Sequence, residues 1–321
     1  MQLIINIFKK KQRIIFTSLG VFICGYLLFK HDAAMTIENV SPRALFLLVV
    51  LKTVVAFVNA VKFRFSANIF HLNLSFLEWN GLPYITTFHN YIMPINTGNL
   101  FRATYLKIRH NFSYSKFIGL LIGSNCIDII VTCILGFIAA FFLKTIIEKA
   151  ALIFFPIFIL SLASIIALIL TCHLLFGKLT ENKKSRFVKL ISNLQTSISV
   201  FKDAPLSIIQ FGFISIISIL FRSISLLFCF YILGINPSLA LVIVSICLTN
   251  FTILFSLTPG NLGVTEGTLA ATFFMAGIPM DIGLEVTALS RLTSMLVQAA
   301  LGLFFSYILS GKLRTMETKK E

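Results

Sequence analysis

The stretch Leu257-Thr258-Pro259-Gly260-Asn261-Leu262-Gly263-Val264-Thr265-Glu266-Gly267 interrupts an apolar region that runs from Ser238 to Gly277. Proline removes a backbone donor and glycine weakens a helix, so the region reads as two half-helices instead of one crossing. Gly263 permits close backbone approach, and Thr265-Glu266 opens the next half-helix, whose N-terminal amides favour an anion. A carboxylate there can cap those amides, bind a cation or proton, or pair with Arg291 further along the chain. A second broken region, Phe76 to Leu106, carries Gly81, Pro83, Pro94 and Gly98. Its segment Pro94-Ile95-Asn96-Thr97-Gly98-Asn99-Leu100-Phe101-Arg102 has a matching layout, and Arg102 offers a planar fork suited to phosphate. A kink plus a cap, with no ligand, is the competing reading of both segments.

Outward from these two breaks the chain is apolar almost throughout. Of its 321 residues, 57% are hydrophobic and 12% charged, and the mean hydropathy is +0.94. A soluble chain carries about a quarter charged residues, so this composition belongs in a bilayer. Crossing a ~30 Å hydrocarbon core takes about 20 helical residues. The segments Ile14 to Phe29, Ala44 to Val61, Phe117 to Leu143, Ala151 to Phe176, Leu206 to Gly234 and Leu284 to Leu309 qualify or nearly qualify. The longest polar interval, Lys178 to Pro205, is too short for an independent domain, so residues 1–321 read as a single integral membrane domain. Within 178–205, Phe187, Leu190, Ile191, Leu194, Ile198 and Phe201 recur at spacings of three and four. Lys183, Lys184, Arg186, Lys189 and Lys202 line the remainder. This is the pattern of an amphipathic helix lying on the cytoplasmic leaflet, or of one packed on the membrane domain.

The charge balance is +15, from 27 Lys and Arg against 12 Asp and Glu. The bases flank apolar runs, which points to orientation by the positive-inside rule and to anionic lipid, not to nucleic acid. If Phe76 to Met93 crossed fully, Arg102, Lys107, Arg109 and Lys116 would lie outside; dipping in and returning keeps them inside with Lys62 and Arg64. Lys312, Arg314, Lys319 and Lys320 place the end of the final span inside, so Ser238 to Gly277 enters from outside and returns there. The expected fold is therefore all-α: a polytopic bundle of about six full spans plus two oppositely oriented re-entrant hairpins. Such an inverted repeat brings broken helices together near the midplane, where transporters place their substrate sites. Lys9, Lys10, Lys11 and Arg13 precede the first apolar run, and Asp32-Ala33-Ala34 makes a poor cleavage site, so that run reads as a retained span. Both termini are expected in the cytoplasm, in the cytoplasmic membrane.

Soluble-enzyme signatures are lacking: no G-x-G-x-x-G, G-x-x-x-x-G-K-[ST], H-E-x-x-H or G-x-S-x-G occurs, and the five histidines have no metal-ligand spacing. Neither cofactor nor metal is expected. The six cysteines all lie in apolar runs and read as buried thiols. What remains is a set of ionisable residues in apolar surroundings: Lys52, Asp128, Arg222, Glu266 and Arg291. A charge at the bilayer centre costs roughly 2.5 to 3.5 kcal/mol even on lenient scales, so each needs a partner or a wet cavity. For Lys52, snorkelling or packing against an acid competes with function, since Lys52, Asn59 and Lys62 fall on loosely related faces. For Arg222 the competitor is a structural ion pair.

The proline-x-x-x-glycine followed by Arg102, together with Pro259-Gly260-Asn261-Leu262-Gly263-Val264-Thr265-Glu266 and the downstream Ala288-Leu289-Ser290-Arg291, resembles the membrane domain of the lysylphosphatidylglycerol synthase/flippase superfamily. The resemblance covers roughly residues 10 to 310. Members commonly carry an acid where this chain has Asn99, and a Glu-Arg pair where it has Ser124-Asn125 ahead of Asp128. The resemblance implies handling or translocation of an anionic membrane lipid, an aminoacylated phosphatidylglycerol or a polyprenyl-phosphate-linked sugar, and not aminoacylation. A membrane-embedded transferase with Asp128 or Glu266 as base, or a scaffold for an envelope-synthesis enzyme, are the alternative classes. A homo-oligomer or such an enzyme is the expected protein partner. The candidate substrate-binding residues are Gly98, Asn99, Arg102, Asp128, Pro259, Gly260, Gly263, Glu266 and Arg291, with Lys52 and Arg222 in support.

At about 1 kcal/mol per base near an anionic surface, a peptide spanning Lys183 to Lys202 should bind anionic vesicles and release them as salt rises. Equal binding to neutral vesicles, read by co-sedimentation, would leave only a packing role.

Overall fold

The computed structural model describes residues 40–92, 97–144, 153–163, 200, 204–252 and 259–317. The first apolar run, Ile14 to Phe29, lies outside the described residues, as does the basic amphipathic stretch Lys183 to Lys202 apart from Val200. Every described element is helical: α1 (Pro42–Ile69), α2 (Phe76–Ile92), α3 (Thr97–His110), α4 (Tyr114–Lys144), α5 (Ile153–Ala163), α6 (Pro205–Ile232), α7 (Leu239–Phe251), a 3-10 turn (Pro259–Asn261), α8 (Val264–Met275) and α9 (Met280–Glu317). Among the described residues, four helices are long and apolar enough to cross a membrane, within Pro42–Ile69, Tyr114–Leu143, Pro205–Ile232 and Met280–Leu309. The protein is a multi-pass helical membrane bundle.

Local sequence sets several of the helix starts. Ser41 accepts the Ala44 amide at 3.3 Å with Pro42 at the first helical position, and Ser238 accepts the Leu241 amide at 3.3 Å. Both are side-chain N-caps that satisfy orphan donors. At α2, Glu78 accepts the Ser75 amide and hydroxyl, each at 2.9 Å. The same buried carboxylate takes the Tyr105 hydroxyl at 3.0 Å and lies within 3.4 Å of Arg109 and His110. The start of α2 is thereby clasped to the end of α3.

The sequence places breaks at Gly81 and Pro83, whereas α2 runs unbroken across both. Proline inside a helix forfeits one hydrogen bond, and residues 78–86 are all buried here, so packing outweighs that loss. Gly81 serves the packing: a methyl there would stand 2.6 Å from the Phe305 ring of α9, and one at Gly302 would stand 2.5 Å from Phe88. α2 ends at Ile92 and α3 begins at Thr97. α3 then folds back on α2, with the Gly98 amide donating to Asn90 Oδ1 at 2.9 Å.

The order long, short, short, long occurs twice, as α1 to α4 and as α6 to α9. The long members have 28 or more residues, whereas the short ones have 17, 14, 13 and 12. The halves are interleaved. α1 packs on α6, α2 packs chiefly on α9, and α7 packs chiefly on α4.

Apolar side chains gather in two dry cores. One joins Ala139, Ala140 and Leu143 of α4 to α7, α8 and Val286 and Leu289 of α9. The other joins Phe117 and Leu120 of α4 to α1, α2, α3 and Phe305 and Leu309 of α9. The same long helices thus feed a core at each end, and a polar layer separates the two.

A methyl on Gly98 would lie 2.0 Å from the Thr86 carbonyl oxygen. Gly98→Ala should therefore cost about 1–3 kcal/mol through overpacking. Gly267, helical and with nothing within 4 Å of an added Cβ, should gain up to about 1 kcal/mol on Gly267→Ala. Thermal unfolding in detergent should move in opposite directions for the two variants.

Candidate functional site

The polar layer holds a partly open cavity of about 720 Å³, lined from every long helix and from both pairs of short ones. Along α4, Asn125, Asp128 and Thr132 fill the interval between its two core segments; along α9, Ser290, Arg291 and Ser294 do so, with Gln298 just beyond. The charges the sequence leaves inside apolar helices are concentrated here.

Two ion pairs face the cavity. Lys62 of α1 donates to Asp128 of α4 at 2.8 and 2.9 Å, and the Ser215 hydroxyl of α6 donates to the same carboxylate at 2.6 Å. Arg291 of α9 pairs with Glu266 of α8 at 2.8 Å. The other Glu266 oxygen accepts the Gly263 amide at 2.8 Å, closing the N-terminus of α8. Arg291 also donates to the Gly260 carbonyl, and its guanidinium stands 5.1 Å from the centre of the Tyr91 ring. The expected cap and the expected pairing of Glu266 therefore occur together.

The turn that allows this needs left-handed backbone, with φ +57° at Gly260 and +84° at Gly263. At Gly260 space is also tight, since a methyl would meet Tyr91 at 2.6 Å and Arg291 at 2.9 Å. At Gly263, expected to allow close approach, an added Cβ would meet no described atom within 4 Å; its requirement is the backbone angle. Pro259 opens the 3-10 turn.

Three more cations line the cavity, and among the described residues their partners are neutral. Lys52 donates to Ser290 Oγ at 2.6 Å. Arg102 donates to Asn99 Oδ1 at 2.9 Å and lies 4.7 and 5.5 Å from the centres of the Phe63 and Phe117 rings. Arg222 donates to Asn250 and reaches Thr249 at 3.5 Å, while Asn250 donates to Thr132 at 3.0 Å. The acid envisaged beside Lys52 and the structural ion pair envisaged for Arg222 are both replaced by hydroxyl and amide partners.

Of the residues named from sequence, Lys52, Asn99, Arg102, Asp128, Arg222, Gly260, Glu266 and Arg291 meet in this cavity. Gly98 and Gly263 shape backbone beside it. Sequence reasoning passed over Lys62, Ser215, Tyr91 and Asn250. Lys62 had a signal, since Lys52, Asn59 and Lys62 recur at spacings of seven and three and all line the cavity. Those spacings mark one helical face, not the loosely related faces expected.

Residues 14–302 match the family described as "Lysylphosphatidylglycerol synthase TM region", and the chain belongs to that family. Membership sets it among membrane proteins concerned with lipids. No curated protein matches the chain.

Removing one partner of a charge pair in a membrane interior leaves the other uncompensated. Lys62→Met and Asp128→Asn should each lower stability by about 1–3 kcal/mol, and the double variant should lose less than the sum. Detergent melting of the four proteins measures the coupling; strict additivity would dissolve the pair.

Proposed function

We propose that the protein is a lipid carrier that moves an anionic headgroup across the cytoplasmic membrane, acting as a flippase and not as an enzyme. The observation that carries this reading is the cationic cavity held between two apolar cores, midway along helices long enough to cross a bilayer. A headgroup can occupy such a layer while its acyl or prenyl chains stay in lipid.

In this reading the α2–α3 and α7–α8 pairs are re-entrant hairpins of opposite orientation, set among about six full spans, and both termini are cytoplasmic. The short arms support it: at 1.5 Å per residue, 12 to 17 residues extend only about 18–26 Å, less than a ~30 Å core. The repeated order of long and short helices supports an inverted repeat. Asp128 and Glu266 then hold Lys62 and Arg291 in place, and an arriving phosphate binds the cations whose described partners are neutral, Lys52, Arg102 and Arg222.

Reconstitution into vesicles with fluorescent lipids tests this directly. Wild-type protein should accelerate leaflet exchange, and Glu266→Gln should reduce exchange at least tenfold while remaining folded and inserted. Arg291→Ala should do the same, with the double variant little worse than either single. Full exchange in a stable Glu266→Gln protein would remove this assignment. A single cysteine near Lys107, in a background free of the native cysteines, should be shielded from an impermeant thiol reagent in intact cells. One near Pro237 should react.

A further inference from the structure

We infer that the headgroup taken by this cavity bears at least two negative charges, as a phosphomonoester or diphosphate does, and carries no free amine; the inference rests on the carrier reading above. Among the described residues, five cations against two carboxylates leave the lining at +3. The two carboxylates are already engaged. Asp128 holds Lys62 and Ser215, and Glu266 holds Arg291 and the Gly263 amide. An incoming ammonium would therefore find no open acid, and it would add charge to a layer that is already positive.

The donors left over point the same way. The Lys52 ammonium has three N–H groups and a single described acceptor, Ser290. The buried Nε atoms of Arg102 and Arg291 have no hydrogen-bond partner among the described residues. Arg222 meets only neutral oxygens. These groups come from α1, α3, α6 and α9, so they encircle the cavity instead of clustering on one wall. Buried donors in native proteins are nearly always satisfied, and phosphate oxygens accept charge-assisted bonds from guanidinium forks. The N-terminus of α8 is not the anion's seat, because Glu266 already caps it.

Charge matching decides between phosphate types. A phosphodiester with one negative charge leaves the layer at about +2. A phosphomonoester brings about −1.5 to −2 at neutral pH, and a diphosphate diester brings about −2. The cavity is far larger than a phosphate, within the ~300–1,000 Å³ typical of sites for larger ligands. Asn125 and Gln298 line it, and the buried Gln298 Oε1 has no partner among the described residues. That lining suits a neutral, hydroxyl-bearing remainder of the headgroup.

The test uses the purified full-length chain in nanodiscs, with a fluorescent prenyl diphosphate displaced by unlabelled competitors. Phosphatidylglycerol should compete at least tenfold more weakly than prenyl diphosphate, and lysine-esterified phosphatidylglycerol more weakly again. Lys52→Met and Arg222→Gln should each narrow the preference for diphosphate over phosphatidylglycerol about tenfold with the melting temperature retained. If either fails to fold, Arg102→Gln gives the same readout. Lysine-esterified lipid binding as tightly as prenyl diphosphate would overturn the inference and leave the carrier reading standing. Inorganic pyrophosphate matching the prenyl compound would keep the charge assignment and overturn the lipid. Charge-selective binding without exchange of any lipid in vesicles would overturn the carrier reading alone.

Discussion

A charge halfway along a membrane helix must be compensated where it stands, and the arrangement of this protein follows from that constraint. Five cations sit in helices whose flanks are apolar, too far from the ends for all of them to escape to the interface. Placing them around one shared space lets two carboxylates neutralise two of them and lets hydroxyls and amides partner the rest. The alternative, five separate sites, would need five sets of buried partners. Concentration of charge in one layer frees the remaining helix surface to be apolar, which is what both the lipid and the two dry cores require.

The broken segments serve the same end. A continuous helix bonds its own backbone and offers nothing to a ligand or a neighbour. The left-handed turn at Gly260 releases a carbonyl, which Arg291 takes, and starts a new helix whose first amide is taken by Glu266. One acid and one base thereby fix the position of α8 against α9. On the other side, Gly98 brings α3 within hydrogen-bond reach of Asn90, and Arg102 is aimed inward between two phenylalanine rings. The hairpins are thus held by polar contacts at their tips and by apolar packing along their arms.

Much of this was legible in the sequence, for a physical reason. Proline and glycine act locally, so the turn at Pro259-Gly260 and the cap at Glu266 could be read from neighbouring residues. Membrane burial of a charge is equally local, since it needs only a run of apolar residues around Lys52, Asp128, Arg222 or Arg291. Partnerships were harder to read. Lys62 lies 66 residues from Asp128, and Arg222 lies 28 from Asn250; no periodicity records which helix faces which. Pro83 misled in the other direction, because its cost is local whereas the packing of α2 that offsets it comes chiefly from α9, distant in sequence. Gly263 was read correctly as a glycine position but for the wrong cause.

The interleaving of the halves bears on how the chain is made. α2 is synthesised early, yet the surface it packs against most, α9, is the last of the described helices to emerge. Until then the groove at Gly81 and the ring of Tyr84, which lies 5.4 Å from Phe305 in the finished protein, have only lipid or earlier helices for company. α4 waits in the same way for α7. Neither half can complete its own core before the other is made, so maturation waits on many contacts distant in sequence. A ribosome stalled before Met280 would leave a membrane-inserted intermediate whose first hairpin is unsupported, a natural substrate for membrane proteases.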